Sequence, residues 1–284
     1  YDWKNNSGIP IVSGYPMALH VAGFNKKKET AFLIHGFNGT ETDEHMRFLR
    51  DAYLSRDFNV ITIDWSPLVV YPCYLTGLVN TRLVAECSAQ IYAFLNHNGA
   101  AREKMTCVGH SLGAHICGMI SNHLSVKQHR IIGLDPARPL IERKKNDAFR
   151  LTHDDASNVQ VIHTNAGFLG MIGNPGHLNY CVNGGKLQPF CRGHPIRRSR
   201  CSHFLSVCYL ASAMFKHKKF LGVPCPDGCV RVSGAHRLPV SSKNPFDIST
   251  DIKEFKIGND APEDARGIYC IDLSFVKHCP FVNR

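Results

Sequence analysis

The chain has 284 residues, 44% of them hydrophobic, and a formal net charge of +10. That length and apolar content suffice for a sizeable core, and no run of about 18 apolar residues reads as a membrane span. The positive charge favours polyanions or anionic membranes, but no zinc-finger, RRM or recognition-helix pattern supports nucleic acid.

The first apolar run, 31–34, ends in His35-Gly36-Phe37. A helix is predicted over 42–55, with Met46, Leu49, Ala52 and Tyr53 on one face. The β-branched stretch 59–64 predicts a strand. Leu83, Val84, Cys87, Ile91, Phe94 and Leu95 recur at helical spacing over 80–98, and Gly99 follows as a stop. Strands are predicted at 104–108 and 130–134, with a helix over 111–124 between them. Beyond Asp135 the pattern loosens to a strand at 159–163, a helix at 203–217 and a loop-rich remainder. Strand and helix alternate, which argues for an α/β fold: a mainly parallel sheet with helices on both faces. Residues 1–284 are expected to form one domain.

Twelve Cys, an even number, suit an oxidising compartment and hence secretion. Paired C-x-x-C spacing is missing around Cys225 and Cys229, so no metal site is expected. The chain opens at Tyr1 without a signal-peptide pattern, as if a leader had been removed. Asn5-Asn6-Ser7 and Asn38-Gly39-Thr40 match the glycosylation acceptor pattern.

The strongest local signal is Gly109-His110-Ser111-Leu112-Gly113. A G-x-S-x-G between a strand and a helix is a nucleophile elbow, which lifts the Ser hydroxyl above the sheet edge. In this chain order an acid and then a base follow the Ser. Asp135, at the end of the strand 131–134, is the candidate acid. The candidate bases are His153, His163, His177, His194, His203, His217, His236 and His278. His203 stands out because it opens a helical pattern beside Cys201. An oxyanion hole needs two N–H donors, one from Leu112 and one from the loop after an early strand, where Phe37 is the choice.

Together these residues resemble the pancreatic lipase family. The resemblance rests on His35-Gly36-Phe37, Gly109-His110-Ser111-Leu112-Gly113-Ala114-His115, Gly133-Leu134-Asp135-Pro136-Ala137, Val161-Ile162-His163-Thr164-Asn165, Asn183-Gly184-Gly185 and Cys201-Ser202-His203. It covers roughly residues 10–220 and is most similar to the insect secreted branch that includes venom-type phospholipases A1. It implies an α/β-hydrolase fold, a triad of Ser111, Asp135 and His203, and Phe37 and Leu112 as oxyanion donors. The implied substrate is phospholipid or another lipid at a membrane or aggregate surface. A phospholipase A1 that releases the sn-1 fatty acid is expected, with a neutral-glyceride lipase, a galactolipase and a non-enzymatic lipid-binding protein as the alternatives.

Three departures from the family pattern bear on substrate. The chain ends at Arg284, before the family's C-terminal β-sandwich. The family's lid lies between two Cys before the catalytic His; here Cys191 and Cys201 enclose only nine residues, among them Arg192, Arg197, Arg198 and Arg200. These Arg are expected to face lipid. The family's calcium loop carries an acid near 150–152, where Thr152 stands. Asp147, Asp154 and Asp155 remain, yet no calcium or other cofactor is expected, and Asp154 and Asp155 read as turn or surface residues.

The Cys191–Cys201 bridge is implied by the family's lid. Cys73 with Cys87 and Cys270 with Cys279 are expected as short local loops. Cys107 and Cys117 either bridge across the elbow or remain buried thiols. Cys181, Cys208, Cys225 and Cys229 are left for two bridges of open pairing.

Overall fold

A computed structural model describes residues 8–142, 146–215, 220–225, 228–229, 254–273 and 279. Its elements in chain order are α1 (Pro16–Val21), β1 (Thr30–Ile34), α2 (Glu44–Ser55), β2 (Asn59–Ile63), α3 (Tyr74–His97), β3 (Met105–His110), α4 (Leu112–Ile120), β4 (Gln128–Leu134), β5 (Ala156–His163), β6 (Leu178–Val182), α5 (Pro195–Met214), β7 (Leu221–Pro224), β8 (Phe255–Lys256) and β9 (Gly267–Ile271). The nine strands form one sheet in the order β2-β1-β3-β4-β5-β6-β9-β7-β8. Pairing is parallel from β2 across to β9, and β7 runs antiparallel to both β9 and β8.

Strand alternation divides the core between the two faces. Ala31, Leu33, Val108, Ile132 and Ile162 pack with Met46 and Leu49 of α2 and with Leu205 and Tyr209 of α5. Phe32, Ile34, Cys107, Ile131 and Val161 pack on the other face with Leu78 and Val84 of α3 and Ile116 of α4. Both faces are covered, so β1, β3 and β4 are buried along their whole length. The mainly parallel α/β fold expected from the sequence is therefore the observed one.

Two helices begin earlier than their periodicity predicts. α3 starts at Tyr74, and both Leu83 and Cys87 lie on its exposed side. This overturns the Cys73–Cys87 pairing. Fourteen residues of helix separate the two by about 21 Å, against the 4–7 Å between Cα atoms that a disulfide spans. Both thiols are free and exposed. α5 starts at Pro195, eight residues before the predicted start. Proline fits the first helical position, and the His194 ring accepts the Ile196 N–H at 3.4 Å. The predicted end of that helix, at His217, lies outside the described residues, as do His236, His278 and Asn5.

Strands β6 to β9 went unpredicted, and they settle the disulfides. Val223 and Pro224 of β7 pair with Cys270 and Tyr269 of β9, which brings the next residue, Cys225, to Cys270. Cys270 is thus unavailable to Cys279, which bonds Cys208 of α5 instead. Cys181 bonds Cys229. Cys107–Cys117 and Cys191–Cys201 form as bridges. No described helix is long and apolar enough to cross a membrane.

Candidate active site

Ser111 sits between the end of β3 and the first residue of α4, with φ 57° and ψ −119°. A non-glycine residue held at positive φ is strained, and neighbouring contacts must hold it there. Those contacts depend on glycines. A Cβ on Gly109 would strike the Gly113 carbonyl, and one on Gly113 would strike the Ile34 carbonyl. The Ser111 N–H donates to Leu134 O at 3.0 Å, which ties the elbow to the end of β4 beside Asp135. Ser111 itself is 8% exposed.

Asp135 is fully buried, and its carboxylate has three donors. Oδ1 accepts the N–H groups of Thr164 and Asn165, each at 2.9 Å. Oδ2 accepts from His203 Nδ1 at 2.6 Å. This bond fixes the tautomer: with the proton on Nδ1, Nε2 of neutral His203 is a free base. Among the described candidate bases only His203 bonds Asp135. His163, also fully buried, faces Asn179 Oδ1 at 3.4 Å, and burial lowers its pKa. Gly170 lies against the carboxylate, where any Cβ would collide with both oxygens.

Two peptide groups at the elbow have their carbonyls tied back. Gly36 O accepts from His35 Nδ1 at 2.9 Å and from Gly39 N at 3.2 Å. Ser111 O accepts from Ala114 N and Ala137 N, both at 3.2 Å. In a trans peptide the N–H points opposite to the carbonyl, so the Phe37 and Leu112 N–H groups are turned away from these anchors. Leu112, as the first residue of α4, also has no intrahelical acceptor. Gly36 lies against Ser111: a Cβ there would stand 2.8 Å from the Ser111 Cβ.

Buried neutral histidines hold the loops. His35 Nε2 accepts the Trp65 N–H at 3.0 Å, and the Trp65 indole donates to His35 O at 2.9 Å. Asp64 Oδ1 is also 3.1 Å from Nε2. Burial nonetheless keeps His35 below the usual imidazole range, so the Trp65 N–H is the bond that forms. His115 accepts the Leu151 N–H at 3.0 Å and donates to Ala137 O at 2.8 Å, and burial pushes its pKa down to about 4. His110 donates from Nε2 to His203 O at 3.2 Å, and its ring packs at a tilt against the His203 ring, with centroids 4.6 Å apart.

The lid segment is no separate flap. Pro195 to Arg200 form the opening turns of the helix that carries His203. Arg197, Arg198 and Arg200 are exposed there, Arg192 is exposed in the segment just before the helix, and Ile196 is 67% exposed.

The calcium loop of the family does not fit these residues. Asp155 is half-buried in the single turn formed by residues 153–155, in keeping with its reading as a turn or surface residue. It closes a capping box with Thr152, accepting that residue's N–H at 2.7 Å, and burial pushes its pKa up to about 6. Asp147 pairs with Arg150 at 2.7 Å, and Asp154 is exposed, with Lys127 at 3.8 Å. The carboxylates therefore do not converge on one point.

Residue reasoning missed Gly170, Asn165 and the structural role of His115. Asn165 and His115 were within reach, since both lie in the quoted motifs. Gly170 carries no signal in the sequence.

A parallel sheet with a strained Ser at one strand end and a buried Asp–His pair beside it defines the α/β-hydrolase class. The lipase family model matches residues 1–229. Lipase member H-A of Xenopus laevis is 34% identical over 209 residues, covering 71% of this chain and 45% of that protein. Phospholipase A1 VesT1.02 of Vespa tropica is 34% identical over 212 residues, covering 70% and 69%. Pancreatic lipase-related protein 2 of Mus musculus is 30% identical over 249 residues, covering 79% and 51%. The chain belongs to the pancreatic lipase family, and it spans about half the length of most of these relatives.

Proposed function

We propose that the protein is a secreted serine carboxylic-ester hydrolase, a phospholipase A1 that releases the sn-1 fatty acid. The observation that carries this reading is the 2.6 Å bond from buried Asp135 to His203 beside the strained Ser111. Ser111 Oγ attacks the ester carbonyl while His203 Nε2 takes its proton. Asp135 stabilises the imidazolium, and the proton then passes to the leaving alkoxide. Phe37 and Leu112 N–H stabilise the oxyanion. Five disulfides support secretion. The same reading takes residues 1–284 as one domain, which β7, β8 and β9 support by extending the sheet.

Phospholipid is favoured over triglyceride by the exposed Arg192, Arg197, Arg198 and Arg200 on the turns leading to His203. An Arg pairs bidentately with a phosphate, and nine residues between Cys191 and Cys201 present little apolar lid surface to a droplet. The resemblance to a phospholipase A1 over most of both chains points the same way.

A phospholipid labelled differently on each acyl chain tests the reading, with triglyceride and galactolipid as parallel substrates. Release of the sn-1 label, abolished in Ser111→Ala, is expected, together with fluorophosphonate labelling of the wild type. Preferential cleavage of triglyceride or galactolipid would make it a lipase or galactolipase instead. Absence of labelling would favour a lipid-binding protein.

A further inference from the structure

Asn165 is fully buried and belongs to two hydrogen-bond systems at once. Its backbone N–H donates to Asp135 Oδ1 at 2.9 Å. Its side-chain Oδ1 accepts the hydroxyl of buried Ser199 at 2.7 Å and the Leu169 N–H at 3.0 Å. Its Nδ2 donates to Lys186 O at 3.0 Å. Ser199 stands on α5, one helical turn before His203. One residue thus holds the carboxylate through its backbone and the helix of its partner imidazole through its side chain.

We infer that Asn165 is a positioning residue that, through Ser199, sets the alignment of His203 against Asp135. The inference rests on the triad reading above. Asn suits this position chemically. The Ser199 hydroxyl and the Leu169 N–H need an acceptor, and the Lys186 carbonyl needs a donor, so a carboxylate meets only part of that demand and a hydrocarbon none. The Asn165 carbonyl also accepts the Gly170 N–H at 3.1 Å, and Gly170 is the residue that lies on the carboxylate. Neither Asn165 nor Ser199 needs to touch substrate for this role. The link also joins the arginine-bearing turns of α5 to Asp135.

The test compares Asn165→Ala, Ser199→Ala, the double variant and Ser199→Thr on a soluble short-chain ester. Asn165→Ala keeps the backbone N–H to Asp135 and loses the link to Ser199 together with the bonds to Leu169 N and Lys186 O, whereas Ser199→Ala removes the link alone. A fall in kcat of about tenfold is expected, with KM unchanged. The acid limb of the kcat profile should move to lower pH, because a misaligned Asp135 stabilises the imidazolium less. Ser199→Ala should act in the same direction, and the double variant should be no worse than Asn165→Ala, as for two partners of one bond. Ser199→Thr keeps the hydroxyl and should restore kcat. A purely structural role would lower Tm while leaving kcat and the pH limb at wild-type values, and that result would overturn the inference. Additive losses in the double variant would do the same. A second readout separates this inference from the triad reading: the low-field proton resonance of the His203–Asp135 bond, followed in Ser111→Ala protein. Its shift or loss on adding Asn165→Ala supports the link even if the wild type proves inactive. Its persistence unchanged refutes it.

Discussion

Substituting Gly170 by Ala isolates the geometry of the acid. The φ of Gly170 lies outside the left-handed region, so Ala costs no backbone strain there. Its Cβ would stand 2.5 Å from Asp135 Oδ2 and 2.6 Å from Cγ, with Oδ1 closer still, whereas ordinary contact begins at 3.4 Å. The loop cannot easily yield, because Arg138 N donates to Leu169 O at 2.7 Å and Met171 N to Pro136 O at 2.9 Å. The carboxylate must therefore retreat by about 0.9 Å and stretch the 2.6 Å bond to His203. A misplacement of about 1 Å in a catalytic constellation costs roughly 100-fold in rate, or about 2.7 kcal/mol. Overpacking should cost about 1–3 kcal/mol of stability as well, so circular dichroism must first show the variant folded at the assay temperature. Turnover of a soluble short-chain ester is the assay. Gly173→Ala is the control, since nothing lies within 4 Å of its added Cβ. If folded Gly170→Ala keeps more than about a third of wild-type kcat, Asp135 does not act through this geometry.

Replacing Arg197 and Arg198 by Ala should weaken binding to anionic vesicles, by about 1 kcal/mol per residue at low salt and less at high salt. Hydrolysis of a soluble ester should hardly change, and unaltered vesicle binding at low salt would remove these residues from the lipid-facing surface. EDTA should leave both activity and Tm unchanged, because Asp147, Asp154 and Asp155 are engaged separately; a loss restored by calcium would refute this reading of the loop. Stability should fall as pH drops from 6.5 towards 4, because His115 has a pKa of about 4 when folded and takes up its proton earlier in the unfolded chain. The effect is on the order of 3 kcal/mol at its limit. Asp155 works in the opposite sense: its folded pKa of about 6 lies above its ordinary value, so its contribution is lost as pH rises through that window. Thermal melts of His115→Gln should therefore show a shallower acid slope than wild type, and equal slopes would refute the assignment.

The elbow was legible in the sequence because its demands are local. Two glycines around Ser111, a strand before it and a helix after it are all read within about fifteen residues. Asp135 was legible through chain order and its place at a strand end. His203 stood out by its place beside Cys201, but its surroundings alone left seven other candidates open. Sixteen His are present, and the resemblance to a family narrowed them to this one before the geometry did. The edge of the sheet was hidden for a related reason. β7, β8 and β9 are short and become strands only by pairing with neighbours distant in sequence, so their hydrogen bonds leave no periodic trace. The disulfides followed suit, since Cys225 and Cys270 meet only because β7 and β9 are in register. The reach of α5 was masked as well: an Arg-rich run reads as a loop, yet it is helical because Pro195 starts it and Ser199 and Ser202 tie it to Asn165 and Gln188.

Sequence alone therefore determined the α/β alternation, the strand–turn–helix elbow at Ser111 and the place of Asp135 at a strand end, each a matter of short-range sterics and hydrophobic period. Tertiary structure decided which His meets Asp135, which glycine makes room for the carboxylate and which cysteines bond. Those choices depend on contacts between residues tens of positions apart, and only the packed sheet and its helices bring them within bonding distance.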